Sequence, residues 1–108
     1  AIGDIAIKEV AYIVNSILTC DCLISRMGGE EFCILVYNRT KEETVSLFEE
    51  IRKKFENNII KTDELEFKYT VSIGATFDYS DSFDEMITLA DNGLYDAKEN
   101  GRNQVRYK

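Results

Sequence analysis

Cys22-Leu23-Ile24-Ser25-Arg26-Met27-Gly28-Gly29-Glu30-Glu31-Phe32-Cys33-Ile34-Leu35-Val36-Tyr37 is two apolar runs around a Gly-Gly turn. Runs of this length and composition read as strands, and the glycines between them supply hairpin chemistry, so the segment predicts strand, turn, strand over residues 22–27 and 32–37. The tip of that hairpin carries two consecutive carboxylates. Upstream, Ile7, Val10, Ala11, Val14, Ile17 and Leu18 recur at helical steps behind Asp4, predicting a helix over residues 5–18 with Asp4 as its N-cap. Downstream, Thr40 and Glu43 have capping-box spacing ahead of Val45, Phe48, Ile51 and Phe55, a second helix that stops at Asn57-Asn58. Leu65, Phe67, Tyr69, Val71 and Ile73 then alternate with polar residues, predicting one strand over residues 65–77. Ser82 and Glu85 repeat the capping pattern before a third helix closed by Asn100-Gly101, and a short strand over residues 104–107 ends the chain. Gly93 inside the third helix costs about 1 kcal/mol relative to Ala. The order α-β-β-α-β-α-β predicts an α/β sandwich, its sheet largely antiparallel with helices on its faces.

The 108 residues suit one compact domain, and 44% apolar with 31% charged composition lies inside the globular range. The longest apolar run, residues 32–37, falls far short of the roughly 20 residues of a membrane helix, and no basic stretch leads into an apolar one. The expectation is a domain without membrane contact. Histidine is absent, which excludes imidazole chemistry and His-ligated metal. A net charge of -7 argues against a broad grip on nucleic acid, so an anionic ligand would need a local basic pocket. Three cysteines, with Cys20 and Cys22 two apart, suggest neither a disulfide framework nor a zinc cluster, and the simplest setting is reducing and cytoplasmic. The chain does not begin with Met and reads as a piece of something longer.

Three places could carry chemistry. Gly28 and Gly29 let backbone approach a ligand closely, and Glu30 and Glu31 follow with hard oxygen donors that suit Mg²⁺ bound together with phosphates; the turn alone favours the plainer reading, a solvated hairpin with acidic ends. Lys98 and Arg102 flank the end of the third helix, where cations also complement the helix dipole. Asp4 has a plain explanation as a cap.

Taken together, Gly3-Asp4, Arg26-Met27-Gly28-Gly29-Glu30-Glu31-Phe32, Val71-Ser72-Ile73-Gly74, Ala90-Asp91 with Leu94-Tyr95-Asp96-Ala97-Lys98, and Gly101-Arg102-Asn103 resemble the GGDEF family of diguanylate cyclases in order and spacing over nearly the whole chain. The resemblance implies the GGDEF, nucleotidyl cyclase-like sandwich and a homodimer that condenses two GTP into cyclic di-GMP with Mg²⁺ or Mn²⁺. It implies that Gly28 and Gly29 lie against the GTP phosphates, that Glu30 and Glu31 bind metal and act at the reacting hydroxyl, that Asp4 contacts guanine, and that Lys98 and Arg102 hold phosphates. A sensory or receiver domain in the parent protein is a further expectation. The alternative is a catalytically degenerate GGDEF module that binds GTP or dimerises as a regulator.

Two departures from the family pattern stand out. Family members begin with a strand that carries a metal-binding Asp, followed by an Asn that contacts guanine, and this chain starts after both. Residues 1–108 are thus expected to be one GGDEF domain truncated at its amino end, poorly stable and inactive alone. The Arg-x-x-Asp motif of product inhibition falls at Thr19 and Cys22, so inhibition through that site is expected to be absent.

Overall fold

The computed structural model describes residues 2–18, 22–28, 31–61, 63–77 and 82–108, with the backbone alone for residues 2–4, 6 and 24–28. The chain forms two compact units, Ala1–Leu47 and Phe48–Lys108.

In the first unit α1 spans Ile2–Ile17 and buries Val14 of the expected apolar stripe together with its neighbour Ile13, which the expected stripe did not include. Its start lies upstream of the predicted one. Asp4 is therefore a helical residue of the first turn and not the N-cap, a position where the dipole still favours a carboxylate but where the cap's extended backbone is absent. The predicted hairpin is present. Strand β1 (Cys22–Gly28) pairs antiparallel with β2 (Glu31–Val36), from Cys22 opposite Val36 to Gly28 opposite Glu31, with an irregularity between Arg26 and Gly28. Cys33 is half-buried in β2, and burial pushes its thiol up.

Helix α2 (Lys41–Glu56) opens on the reciprocal box expected of it. The Thr40 N–H donates to Glu43 Oε1 and the Glu43 N–H to Thr40 Oγ1, both at 3.1 Å. Thr44, buried, donates its hydroxyl to the Thr40 carbonyl and so leaves no polar atom unpaired. In the second unit Phe48, Ile51 and Phe55 are buried, Phe55 almost completely.

The one long strand expected over residues 65–77 is divided. Strand β3 (Ile60–Lys61), which the sequence does not announce, pairs antiparallel with β4 (Glu66–Phe67), and β5 is only Ile73–Ala75. The predicted alternation survives in burial over residues 66–71, with Phe67, Tyr69 and Val71 partly covered and Glu66, Lys68 and Thr70 exposed, and fails at Leu65, which is exposed, and at Ser72, which is partly covered. Tyr69 packs its ring on Phe55 of α2, centroids 5.6 Å apart. A period of two reports which side chains face the core; a ladder needs in addition a neighbouring strand, and the ladders formed among the described residues do not include 68–72.

Helix α3 (Phe83–Glu99) begins at Ser82, whose hydroxyl accepts from the Glu85 N–H, and ends in a Schellman-type closure. The Arg102 N–H donates to the Ala97 carbonyl at 2.8 Å across Gly101, whose φ of 106° suits glycine. Strand β6 (Val105–Tyr107) returns parallel to β5, making a β5-α3-β6 unit, whereas the other two ladders are antiparallel as expected. Helix and strand meet there at glycine. A Cβ on Gly74 would lie 2.0 Å from the Ala90 carbonyl oxygen and from the Leu94 nitrogen, and one on Gly93 would lie 2.8 Å from the Arg106 oxygen and 3.2 Å from the Gly74 Cα. Gly93 is the condition for this approach, and its helix-propensity cost is offset by the packing it allows.

Candidate functional site

The hairpin end is built by register. Gly28 and Glu31 are opposite one another, so β1 and β2 close around the two residues between them, Gly29 and Glu30, which lie outside the described residues. Glu31 is exposed at the first position of β2, while Phe32 behind it is half-buried and ties the strand into its unit. Asp4 belongs to the same unit, in the first turn of α1. Thr19 is outside the described residues; Cys22, half-buried, opens β1.

Lys98 and Arg102 belong to the other unit. Lys98 is half-buried in the last turn of α3, and Arg102 is exposed beyond Gly101. Both stand at the negative pole of the helix. The ion pairs among the described residues join Arg52 to Glu49 and Glu56, and Lys108 to Asp96. Neither Lys98 nor Arg102 takes part in them, so each keeps its charge available in a chain of net charge -7.

Four residues without an assigned role, Asn103, Arg52, Glu49 and Glu56, form a network next to this end of α3. Asn103 accepts from Arg52 Nη1 through Oδ1 at 3.0 Å and donates through Nδ2 to Glu56 Oε2. Arg52 Nη1 also donates to Glu56 Oε2 at 3.0 Å, and its Nε donates to Glu49 Oε1 at 2.8 Å. The hydrogen bond from Asn103, and then that from Arg52, holds the Glu56 carboxyl below the usual glutamate range. The spacing of Glu49, Arg52 and Glu56 announces their mutual pairing on one helix face. The partner at Asn103 lies 51 residues from Arg52, where spacing carries no signal.

The donor chemistry fits a hard divalent ion: Glu31 offers carboxylate oxygens to solvent at a hairpin end that also carries the Glu30 carboxylate in its sequence. Among the described residues no three potential ligands cluster, and an ion of the Mg²⁺ type takes one or two carboxylates and completes its shell with water and phosphate oxygens.

The model of the diguanylate cyclase GGDEF domain matches residues 1–104. The chain belongs to the GGDEF family. Every candidate residue from Asp4 to Arg102 falls within the GGDEF match. Among GGDEF relatives, Diguanylate cyclase A of Treponema denticola is 37% identical over 108 aligned residues, covering 97% of this chain and 29% of that protein. The chain thus spans less than a third of the curated relative's length. The GGDEF domain of DgcB from Caulobacter crescentus, solved in complex with c-di-GMP, aligns with a TM-score of 0.87 at 27% identity, over 96% of this chain and 63% of that one. The active GGEEF domain of a diguanylate cyclase from Vibrio cholerae aligns with a TM-score of 0.84 at 27% identity, over 96% of this chain and 67% of that one. These likenesses bear out the expected α/β GGDEF fold. Among the described residues no helix is long and apolar enough to cross a membrane.

Proposed function

We propose that the protein is a diguanylate cyclase, condensing two GTP into cyclic di-GMP as a homodimer with Mg²⁺ or Mn²⁺. The observation that carries the proposal is the hairpin end, where Gly28-Gly29-Glu30-Glu31-Phe32 is complete in the sequence and Gly28 and Glu31 stand opposite one another at the ends of β1 and β2. The Vibrio cholerae structure named for an active GGEEF domain has the same five residue types in its name.

In this proposal Gly28 and Gly29 bring backbone amides to the phosphates, and Glu30 and Glu31 hold the divalent ion. When bound, that ion supplies charge neutralisation at the reacting phosphate. Lys98 and Arg102 neutralise the rest of the triphosphate, for which the support is that neither takes part in the ion pairs among the described residues. Asp4 accepts hydrogen bonds from the guanine edge. The 3′-hydroxyl of one GTP attacks the α-phosphorus of the other; the new P–O bond forms as the bond to pyrophosphate breaks, and Glu30 takes the hydroxyl proton. The same exchange in the opposite sense closes the ring and releases a second pyrophosphate. Such a transfer asks the protein for positioning and charge more than for a covalent nucleophile. A free thiol at Cys33 suits a reducing cytoplasm, and a sensory or receiver domain in the same gene product would set the output.

The gene product that carries this chain, incubated with GTP and Mg²⁺, should accumulate cyclic di-GMP with two pyrophosphates released for each, read by chromatography. GTP that is bound but never turned over would replace the proposal with a GTP-binding regulator.

A further inference from the structure

Gly101, Arg102 and Asn103 have φ of 106°, 63° and 45°, three successive residues in the left-handed region. For Arg102 that conformation is unfavourable on its own, because Cβ crowds the following carbonyl, and it persists only where the surroundings impose it. Three sets of bonds do so, one of them from the Gln104 side-chain amide, which donates to the Arg102 carbonyl at 3.0 Å. On one side the Arg102 N–H is fixed to the Ala97 carbonyl at 2.8 Å. On the other the Asn103 side chain is gripped from α2 on both of its polar atoms, Oδ1 by Arg52 and Nδ2 by Glu56. Arg52 is itself held, its side chain 14% exposed and bonded to Glu49 and Glu56. Residue 102 thus lies between a helix end and a clamp, with its backbone determined from both directions and its side chain left exposed.

We propose that Asn103, clamped by Arg52 and Glu56, is a positioning residue that holds the backbone at 102 so that the Arg102 guanidinium meets a nucleotide phosphate already aimed. The inference rests on the assignment of Arg102 to the phosphates and adds to it the device that orders the arginine before ligand arrives. Preorganisation of this kind strengthens binding by lowering the ordering cost that a free arginine would bear on engagement.

The test is a double-mutant cycle in the full chain, read as GTP affinity by calorimetry. Asn103→Gly removes the amide while still allowing left-handed φ, so it releases the clamp without imposing a backbone the turn cannot adopt. We expect Arg102→Ala and Asn103→Gly each to weaken GTP binding about tenfold, and the double variant to bind no more weakly than Arg102→Ala alone. A merely structural Asn103 would shift the thermal midpoint and leave no coupling to Arg102. If Arg102→Ala weakens binding and Asn103→Gly leaves it within about twofold, the clamp is not a positioning device, while the phosphate assignment stands. Fully additive losses would overturn the inference in the same way. Unchanged affinity in Arg102→Ala would remove the phosphate assignment and the inference with it.

Discussion

Lys98 and Arg102 stand where a cation is welcome with or without a ligand, since the last turn of α3 is the negative end of the helix dipole. The two roles predict different losses. If the dipole were their whole purpose, Lys98→Ala would lower stability slightly and leave nucleotide affinity alone. As phosphate contacts, Lys98→Ala and Arg102→Ala should each cost about tenfold in GTP affinity, the scale of a charge-assisted hydrogen bond, with little change in a urea midpoint. Calorimetry that finds both variants unchanged would move the phosphate site elsewhere. Glu30→Gln, isosteric and at an acidic tip, should abolish cyclic di-GMP formation in the gene product while the circular dichroism spectrum stays that of wild type; turnover within a few fold at saturating Mg²⁺ would remove it from the metal site. Asp4 shows where single-residue reasoning failed. A carboxylate near a helix start fits the cap or the first turn, and only the backbone at Ile2 decides between them.

At the scale of elements, the contact of Gly74 with Gly93 reverses what helix propensity alone would predict. An Ala at an ordinary helical glycine stabilises by up to about 1 kcal/mol. At position 93 its methyl would press on the Arg106 oxygen and the Gly74 Cα, both backbone, so Gly93→Ala should instead destabilise by about 1–3 kcal/mol. Gly74→Ala should be worse, because both of its nearest contacts at 2.0 Å are backbone of α3 and cannot swing aside. Urea unfolding measures both, and a raised midpoint for Gly93→Ala would refute the close approach. The hairpin, the Thr40 box and the Asn100-Gly101 stop were all legible, because each is a local rule written in neighbouring residues. The division of residues 65–77 was not. Ile60 and Lys61, which pair with Phe67 and Glu66, are too short a run to announce a strand, and the parallel partner of Ile73 is Val105, on the far side of a helix.

For the molecule as a whole, acid is the revealing perturbation. The Thr40 N–H lowers the Glu43 carboxyl, Arg52 lowers Glu49, and Asn103 with Arg52 lowers Glu56, each below the ordinary value of 4.5. A folded value below the unfolded one means stability that is fully present above about pH 4.5 and is lost as the pH falls through the depressed values. The urea midpoint should therefore decline below that pH, and Glu56→Gln should decline less steeply while starting lower at neutral pH. Parallel pH profiles for the two proteins would show that Glu56 is not part of the acid response. The signature and the order of elements could be read from the chain because they recur as contiguous motifs. The grip of α2 on Asn103 could not, since it joins two polar surfaces whose sequences carry no common period.

The meeting of Gly74 and Gly93 also bears on how the molecule breathes. With no side chain between strand and helix, the backbone of β5 cannot part from α3 without breaking the van der Waals contact along residues 90–94, nor from β6 without breaking the ladder at Ile73, Gly74 and Ala75. The amide protons of β5, of the middle of α3 and of β6 should then exchange with deuterium at one shared slow rate, as a single opening unit, while those of the short β3–β4 pair exchange earlier and independently.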